Sequence, residues 1–328
     1  MRQLTRREYL GATGATALVL GLGVRDAAAQ AVTVRQGYQT NIWGMPTYYL
    51  MKSGALEKRG LKVEEFAVPS GNLTMQQMVA RQVDLGTYAG PSLIIGHDKG
   101  GLVAIAQIET VGKTGALVVR KDLGISKVAD LKGKKIANQV GSSIGNIFVD
   151  QVCPQNGLQK ADFTEVRMDV NNMIAAMASK TVDAMINIEP YNAIAEADGL
   201  GTILINLEKY DDVPVFMAAT PDFVEKNPAA VVNYLKAWLD VAKDFKSDPK
   251  KVSGVIYDFF KSKGYTMSPE TFAKAMSRID VEPGFPKGLE PYMKGHAEAL
   301  LKEKKIAAMP DFKKMLRTDF IEKARAGA

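Results

Sequence analysis

The stretch Val140–Phe148, VGSSIGNIF, joins a glycine, two hydroxyls and the opening of a helix-like run. Gly141 lets backbone approach a ligand, Ser142 and Ser143 supply hydroxyls, and a helix start presents unpaired N–H groups carrying about half a positive charge. Such a loop suits a small oxyanion or a polar head group. It lacks the lysine and the spacing of a nucleotide-phosphate loop. Ser70-Gly71-Asn72 repeats the arrangement earlier in the chain, and for each of these residues ordinary helix capping is the competing reading. Acid–base and covalent chemistry have little to draw on. The two histidines, His97 and His296, lie at a helix end and in a helical tail, and the chain has no H-x-x-x-H, C-x-x-C or acidic metal cluster. Cys153 is alone, so no internal disulfide forms, and its apolar setting reads as a buried, inert thiol. The pattern predicts binding without catalysis: no catalytic residue, no metal and no cofactor.

The elements that must hold these residues alternate between short β-like and longer helix-like runs, beginning with VTVRQGY, LKVEEFAV and VDLGTY and continuing through GALVVR, VDAMINI and TILINL. Alternation of this kind predicts an α/β fold with parallel strands. In open α/β sheets ligands sit beyond the carboxyl ends of strands. The ligand-binding candidates at those positions are Gln39, Asn41, Trp43, Ser70, Asn72, Tyr88, Ser142, Ser143 and Glu189. Trp43 reads either as a ligand platform or as a ring buried against a helix, and Tyr88 as a contact or as a cap on the sheet edge. Glu189 reads as an acceptor for a ligand N–H or hydroxyl, or as a first-turn helix acid. Glu109 is expected to form hydrogen bonds at a hinge.

The chain also repeats itself. Asn72 to Asp84 aligns with Asn171 to Asp183 at a constant offset of 99 residues without gaps, as two lobes built on one helix–turn–strand unit would require. Taking Gly115 to Arg120 and Val215 to Thr220 as the two crossing strands gives a hinge. Lobe one is then 32–114 plus 218–328, and lobe two is 115–217. Everything after Pro228 reads as helical, with Val231, Leu235, Trp238, Leu239 and Val241 on one apolar face.

Arg6 and Arg7 precede an apolar run from Gly11 to Val24, too short for a membrane span of about 20 residues, and small residues follow. This reads as a cleaved secretory leader of twin-arginine type over residues 1–31, with cleavage after Ala29 or Ala31. The expected location is therefore the periplasm. Formal net charge is +6, and loss of four arginines and two acids with the leader lowers it to about +4. Lysines and acids interleave, so no nucleic-acid surface is expected.

RQGYQ (35–39), LEKRGLKVE (56–64), KVADLKGKKIA with the GSS loop (127–143), VDAMINIEPY (182–191) and FMAATPDFVEKNPAAVVNYLKAW (216–238) resemble the sulfonate/nitrate/taurine-type solute-binding proteins of ABC importers, a group that includes thiamine-pyrimidine-precursor binders. The resemblance implies a two-lobed periplasmic-binding-protein fold, type II-like, with the ligand cleft between lobes and a helical C-terminal segment packed on lobe one. It also implies a monomer that captures a small-molecule ligand and delivers it to an ABC permease and ATPase complex. The ligand is either a sulfonate- or taurine-like anion or a nitrogen-bearing aromatic such as a pyrimidine precursor. Trp43, Met45 and Glu189 depart from a snug anion site, which counts against a plain sulfonate and admits an aromatic or nitrogen-bearing ligand. The other readings are a pyrimidine-synthase-like enzyme on the same fold and a binder feeding a sensor.

Overall fold

Among the described residues, eleven strands divide between two sheets. The structure is a computed structural model that describes residues 31–139 and 142–327; the leader read from the sequence lies outside these residues, as does Gly141. In chain order the strands are β1 (Val32–Gln39), β2 (Leu61–Val68), β3 (Leu85–Ala89), β4 (Val103–Thr110), β5 (Gly115–Arg120), β6 (Lys135–Asn138), β7 (Thr164–Arg167), β8 (Ala184–Ile188), β9 (Gly201–Asn206), β10 (Pro214–Ala219) and β11 (Asp280–Gly284). The larger sheet runs β11-β4-β10-β3-β1-β2 and the smaller β7-β6-β8-β5-β9. β1 pairs in parallel with β2 and β3, and β6 with β7 and β8. β10 is antiparallel to β3 and β4, and β5 to β8 and β9. Each lobe is thus a mainly parallel sheet in which the first strand after the chain changes lobes, β5 or β10, is reversed, and in the larger sheet the edge strand β11 is reversed as well.

That placement corrects the expected crossings. β5 lies wholly in the smaller sheet and β10 wholly in the larger one, so the connections between lobes are the loops 111–114 and 207–213. The apolar run VFMAA suits a central strand hydrogen-bonded on both sides, and a central strand cannot also span a gap between lobes.

The internal repeat is a repeat of structure. Helix Gly71–Val79 leads into β3, and helix Met173–Ala178 leads into β8. At the turn between helix and strand, Arg81 (φ 61) and Lys180 (φ 59) occupy the left-handed region at equivalent positions. Asp84 then accepts from the N–H of Arg35 at 3.1 Å, and Asp183 accepts from the N–H of Lys135 at 2.9 Å. In each lobe one carboxylate pins the helix–strand turn to the parallel neighbour of the strand that follows, β1 in the larger lobe and β6 in the smaller.

Helix Pro228–Ser247 buries Val231, Leu235, Trp238 and Val241, while Leu239 is only partly buried. The tail is not all helical: β11 adds an edge strand to the larger sheet. Its sequence, DVEPG, carries residues depleted in strands, and a proline such as Pro283 is tolerated at an edge. The tail packs on the larger lobe through the helices Pro228–Ser247, Leu289–Lys302 and Thr318–Ala326. In addition, the helix Pro269–Met276 and the turn before it reach the smaller lobe: Lys274 pairs with Glu196 at 3.4 Å, and the hydroxyl of Tyr265, in that turn, meets that of Tyr191 at 2.9 Å. Cys153 is buried, and burial pushes its thiol up to about 12. Among the described residues no helix is long and apolar enough to cross a membrane.

Candidate functional site

A cavity of about 440 Å³ receives side chains from both lobes and from the connection 207–213. Seven of the nine sequence candidates line it: Gln39, Asn41, Trp43, Ser70, Asn72, Ser142 and Ser143. The loop after β1 is folded back on the strand end by Gly44, where a Cβ would meet the Gln39 carbonyl oxygen at 1.8 Å. Asn41 fixes that loop. Its Oδ1 accepts from the Trp43 N–H at 3.0 Å, and its Nδ2 donates to Gln39 Oε1 and to the Pro69 carbonyl, both at 3.3 Å.

Trp43 has a double role. Its indole N–H donates to Thr114 Oγ1 at 2.7 Å, and Thr114 lies in the connection 111–114. The Thr114 carbonyl in turn accepts from Asn192 Nδ2 at 3.0 Å and from the Glu189 N–H at 2.9 Å. The ring that faces the cavity is therefore tied, through one threonine, to the smaller lobe.

Both serine loops cap helices. Ser70 Oγ accepts from the Leu73 N–H at 3.4 Å and Ser142 Oγ accepts from the Gly145 N–H at 3.1 Å. Capping uses a lone pair and leaves the hydroxyl proton to donate elsewhere, so the capping and ligand readings are compatible at these positions. Gly71 allows the first turn of its helix to lie against β3, since a Cβ there would meet Tyr88 Cβ at 2.8 Å. Asn72 Oδ1 accepts from Ser92 Oγ at 2.6 Å.

The other two candidates lie elsewhere. Tyr88 is fully buried in the core of the larger lobe and does not line the cavity; β3 is a central strand, so an alternate residue near its end points into the helix layer rather than to the cleft. Glu189 is also fully buried. It forms an ion pair with Arg278, and its Oε2 accepts from the Ala193 N–H at 3.1 Å. Arg278, in the turn between the helix Pro269–Met276 and β11, takes the carboxylate that was expected to meet ligand. Glu109 forms no hinge hydrogen bond: neither carboxylate oxygen has a protein partner.

Sequence reasoning missed the wall supplied by the tail. Tyr292 and His296, four residues apart on helix Leu289–Lys302, both line the cavity, and their rings pack edge to face at 4.5 Å. The Tyr292 hydroxyl donates to Asp211 Oδ1 at 2.9 Å, and His296 Nε2 lies 3.6 Å from Asp211 Oδ2. Asp211 also accepts from the N–H of Val213 at 2.7 Å and holds that residue at φ 48, strained for a β-branched side chain. The i, i+4 spacing placed Tyr292 and His296 on one face, but nothing in the sequence says which lobe that face meets.

The cavity is acidic. Asp150, Asp211 and Glu303 line it, against Lys305 and His296, and no arginine does. Lys305 is itself paired with Glu303 at 2.6 Å. Burial first, and the Glu303 carboxylate second, raise the Asp150 carboxyl above its ordinary range, with Lys160 and Lys305 acting the other way. The chemistry on offer is hydroxyl and amide contacts at one end, an aromatic wall, and carboxylates that accept from N–H donors. Among the described residues no cluster of metal ligands occurs.

A family profile described as NMT1/THI5 like matches residues 42–252. A Brucella abortus protein named as a binding protein is 28% identical over 264 residues, covering 79% of this chain and 80% of its own. A Bacillus subtilis protein named as an aliphatic sulfonate-binding protein is 29% identical over 252 residues, covering 71% and 75%. Among solved structures, the alkanesulfonate-binding protein SsuA from Xanthomonas axonopodis pv. citri, bound to MOPS, superposes with a TM-score of 0.71 at 20% identity, covering 89% of this chain and 98% of that one. At that identity the likeness establishes the two-lobed fold.

Proposed function

The chain belongs to the NMT1/THI5-like family, and we propose that it is the periplasmic solute-binding component of an ABC importer. It captures a small nitrogen-bearing aromatic molecule in the cleft between its lobes and presents it to a permease and ATPase complex. The names of the relatives support the transport reading. The cavity's charge supports the ligand class. A volume of about 440 Å³ lies in the range of about 300–1,000 Å³ usual for small organic ligands, and its carboxylates favour N–H donors. A sulfonate or nitrate would meet three acids, no arginine and a lysine already paired.

Capture needs no reaction. The larger lobe contributes Asn41, Trp43, Ser70 and Asn72, the smaller Ser142, Ser143 and Asp150, and the connection contributes Asp211. A ligand touching all three groups is bound best when the lobes are closed, and this differential affinity drives closure. A micromolar dissociation constant corresponds to about 8 kcal/mol, within reach of a stacked ring and a few hydrogen bonds. We assign the lobes as 31–110 with 214–327, and 115–206, joined by the two connections. The relatives that carry the transport reading are named as binding proteins and not as enzymes, and the single thiol, Cys153, does not line the cavity.

Thermal-shift screening of the mature chain tests the ligand class. Aminopyrimidines and related heterocycles are expected to raise the melting temperature, and alkanesulfonates, taurine and nitrate to leave it in place. Stabilisation by the anions alone would reverse the assignment.

A further inference from the structure

The two connections between the lobes are clasped to each other. The Val111 N–H donates to the Asp212 and Val213 carbonyls at 3.1 and 3.2 Å, and the Gly112 N–H donates to the Asp212 carbonyl at 2.8 Å. Gly112 permits this approach: a Cβ there would meet the Asp211 carbonyl oxygen at 2.3 Å and the Asp212 Cα at 2.8 Å. These are main-chain atoms, which cannot swing aside as the end of a flexible side chain can. Thr114, fully buried, closes the first connection. Its hydroxyl lies 2.7 Å from the Trp43 indole nitrogen and 2.7 Å from the Val111 carbonyl oxygen. An indole N–H only donates, so the threonine oxygen accepts from Trp43 and its single proton goes to Val111. The cleft-facing ring is thus bonded, through one hydroxyl, to the clasped connections.

Trp43 lines the cleft and Thr114 does not. We propose that Thr114 is a positioning residue for ligand capture: it holds the Trp43 ring in a pose set by the connections, and it contributes to affinity only through that ring. A platform fixed before the ligand arrives loses no rotamer freedom on binding, and this preorganisation appears as affinity. Removal of the hydroxyl leaves the indole N–H without its partner, and the ring then turns to find another donor site or water. Removal of the methyl alone leaves the bond in place. This role rests on the reading of the cleft as the place of capture, and it does not depend on which groups of the ligand meet the carboxylates.

Cytosine, an aminopyrimidine, is the probe. In isothermal titration of the mature chain, Thr114→Val is expected to weaken its binding by about fivefold or more, whereas Thr114→Ser, which keeps the hydroxyl, is expected to bind as wild type does. In a Trp43→Ala background, Thr114→Val is expected to cost nothing further, because the ring through which it acts is gone. Melting curves report whether each variant folds. The NMR signals of the two indole N–H groups give a readout that needs no ligand. Thr114→Val is expected to shift the Trp43 signal and to speed its hydrogen exchange, with fully buried Trp238 unchanged and Thr114→Ser like wild type. An unmoved Trp43 signal in Thr114→Val, affinity losses that add in the double variant, or an equal loss in Thr114→Ser overturns the assignment. Failure of cytosine to bind the wild-type chain would count against the ligand class proposed above, and the indole signals would then decide the role of Thr114 by themselves.

Discussion

Ser142 and Ser143 are adjacent and do different work. Ser142 caps a helix with its lone pair, so Ser142→Ala is expected to cost about 1 kcal/mol of stability together with ligand affinity. Ser143 is the first helical residue and also lines the cleft, so Ser143→Ala is expected to lower affinity with little change in the urea midpoint. Equal stability losses with unchanged affinity would reduce both serines to structural residues. Glu109 yields a pH test. Its ordinary value is 4.5 and its folded value is higher, so between the two the folded chain holds the extra proton and stability falls as pH rises. Glu109→Gln is therefore expected to gain on wild type from about pH 4 towards neutrality; urea unfolding across that range checks it, and a pH-independent difference would contradict it. At this scale the sequence was readable where a residue ended a strand and opened a loop, as with Asn41, Trp43 and the serines. It misled where a distant element arrived: nothing around Glu189 announces Arg278, 89 residues away.

The helix–turn–strand units that end at Asp84 and Asp183 show why secondary structure was legible. Alternation gave the strands and the offset of 99 gave the repeat, because local hydrophobic period and turn chemistry fix both. β10 and β11 were harder. β10 has the composition of any buried strand, and its reversed direction is a matter of topology. The helix Pro269–Met276 makes a prediction of its own, since Arg278, two residues beyond its end, compensates a carboxylate buried in the other lobe. Arg278→Met is expected to destabilise the chain by about 3 kcal/mol, and Glu189→Gln in that background to recover part of the loss. A double-mutant cycle in urea measures the coupling; additive losses would mean that the pair does not hold the tail to the smaller lobe.

At the scale of the molecule, two lobes are joined by two short connections. Thr114 and Asp211, one in each connection, are tied to cleft-lining side chains, Trp43 in one case and Tyr292 in the other. Ligand contact and lobe orientation therefore share atoms. Saturation with ligand is expected to reduce the radius of gyration in small-angle scattering, and an unchanged value would count against closure. The lobes were legible because the chain states its plan twice, whereas the cleft's acidic wall was not, because it is assembled from 150, 211 and 303. The most direct measurement is isothermal titration of the mature chain with the best-stabilising heterocycle and with an alkanesulfonate, repeated on Trp43→Ala. The account predicts one site of micromolar or tighter affinity for the heterocycle, weakened by about tenfold or more in Trp43→Ala, and no measurable sulfonate binding. A tighter sulfonate, or an affinity indifferent to Trp43, would contradict it.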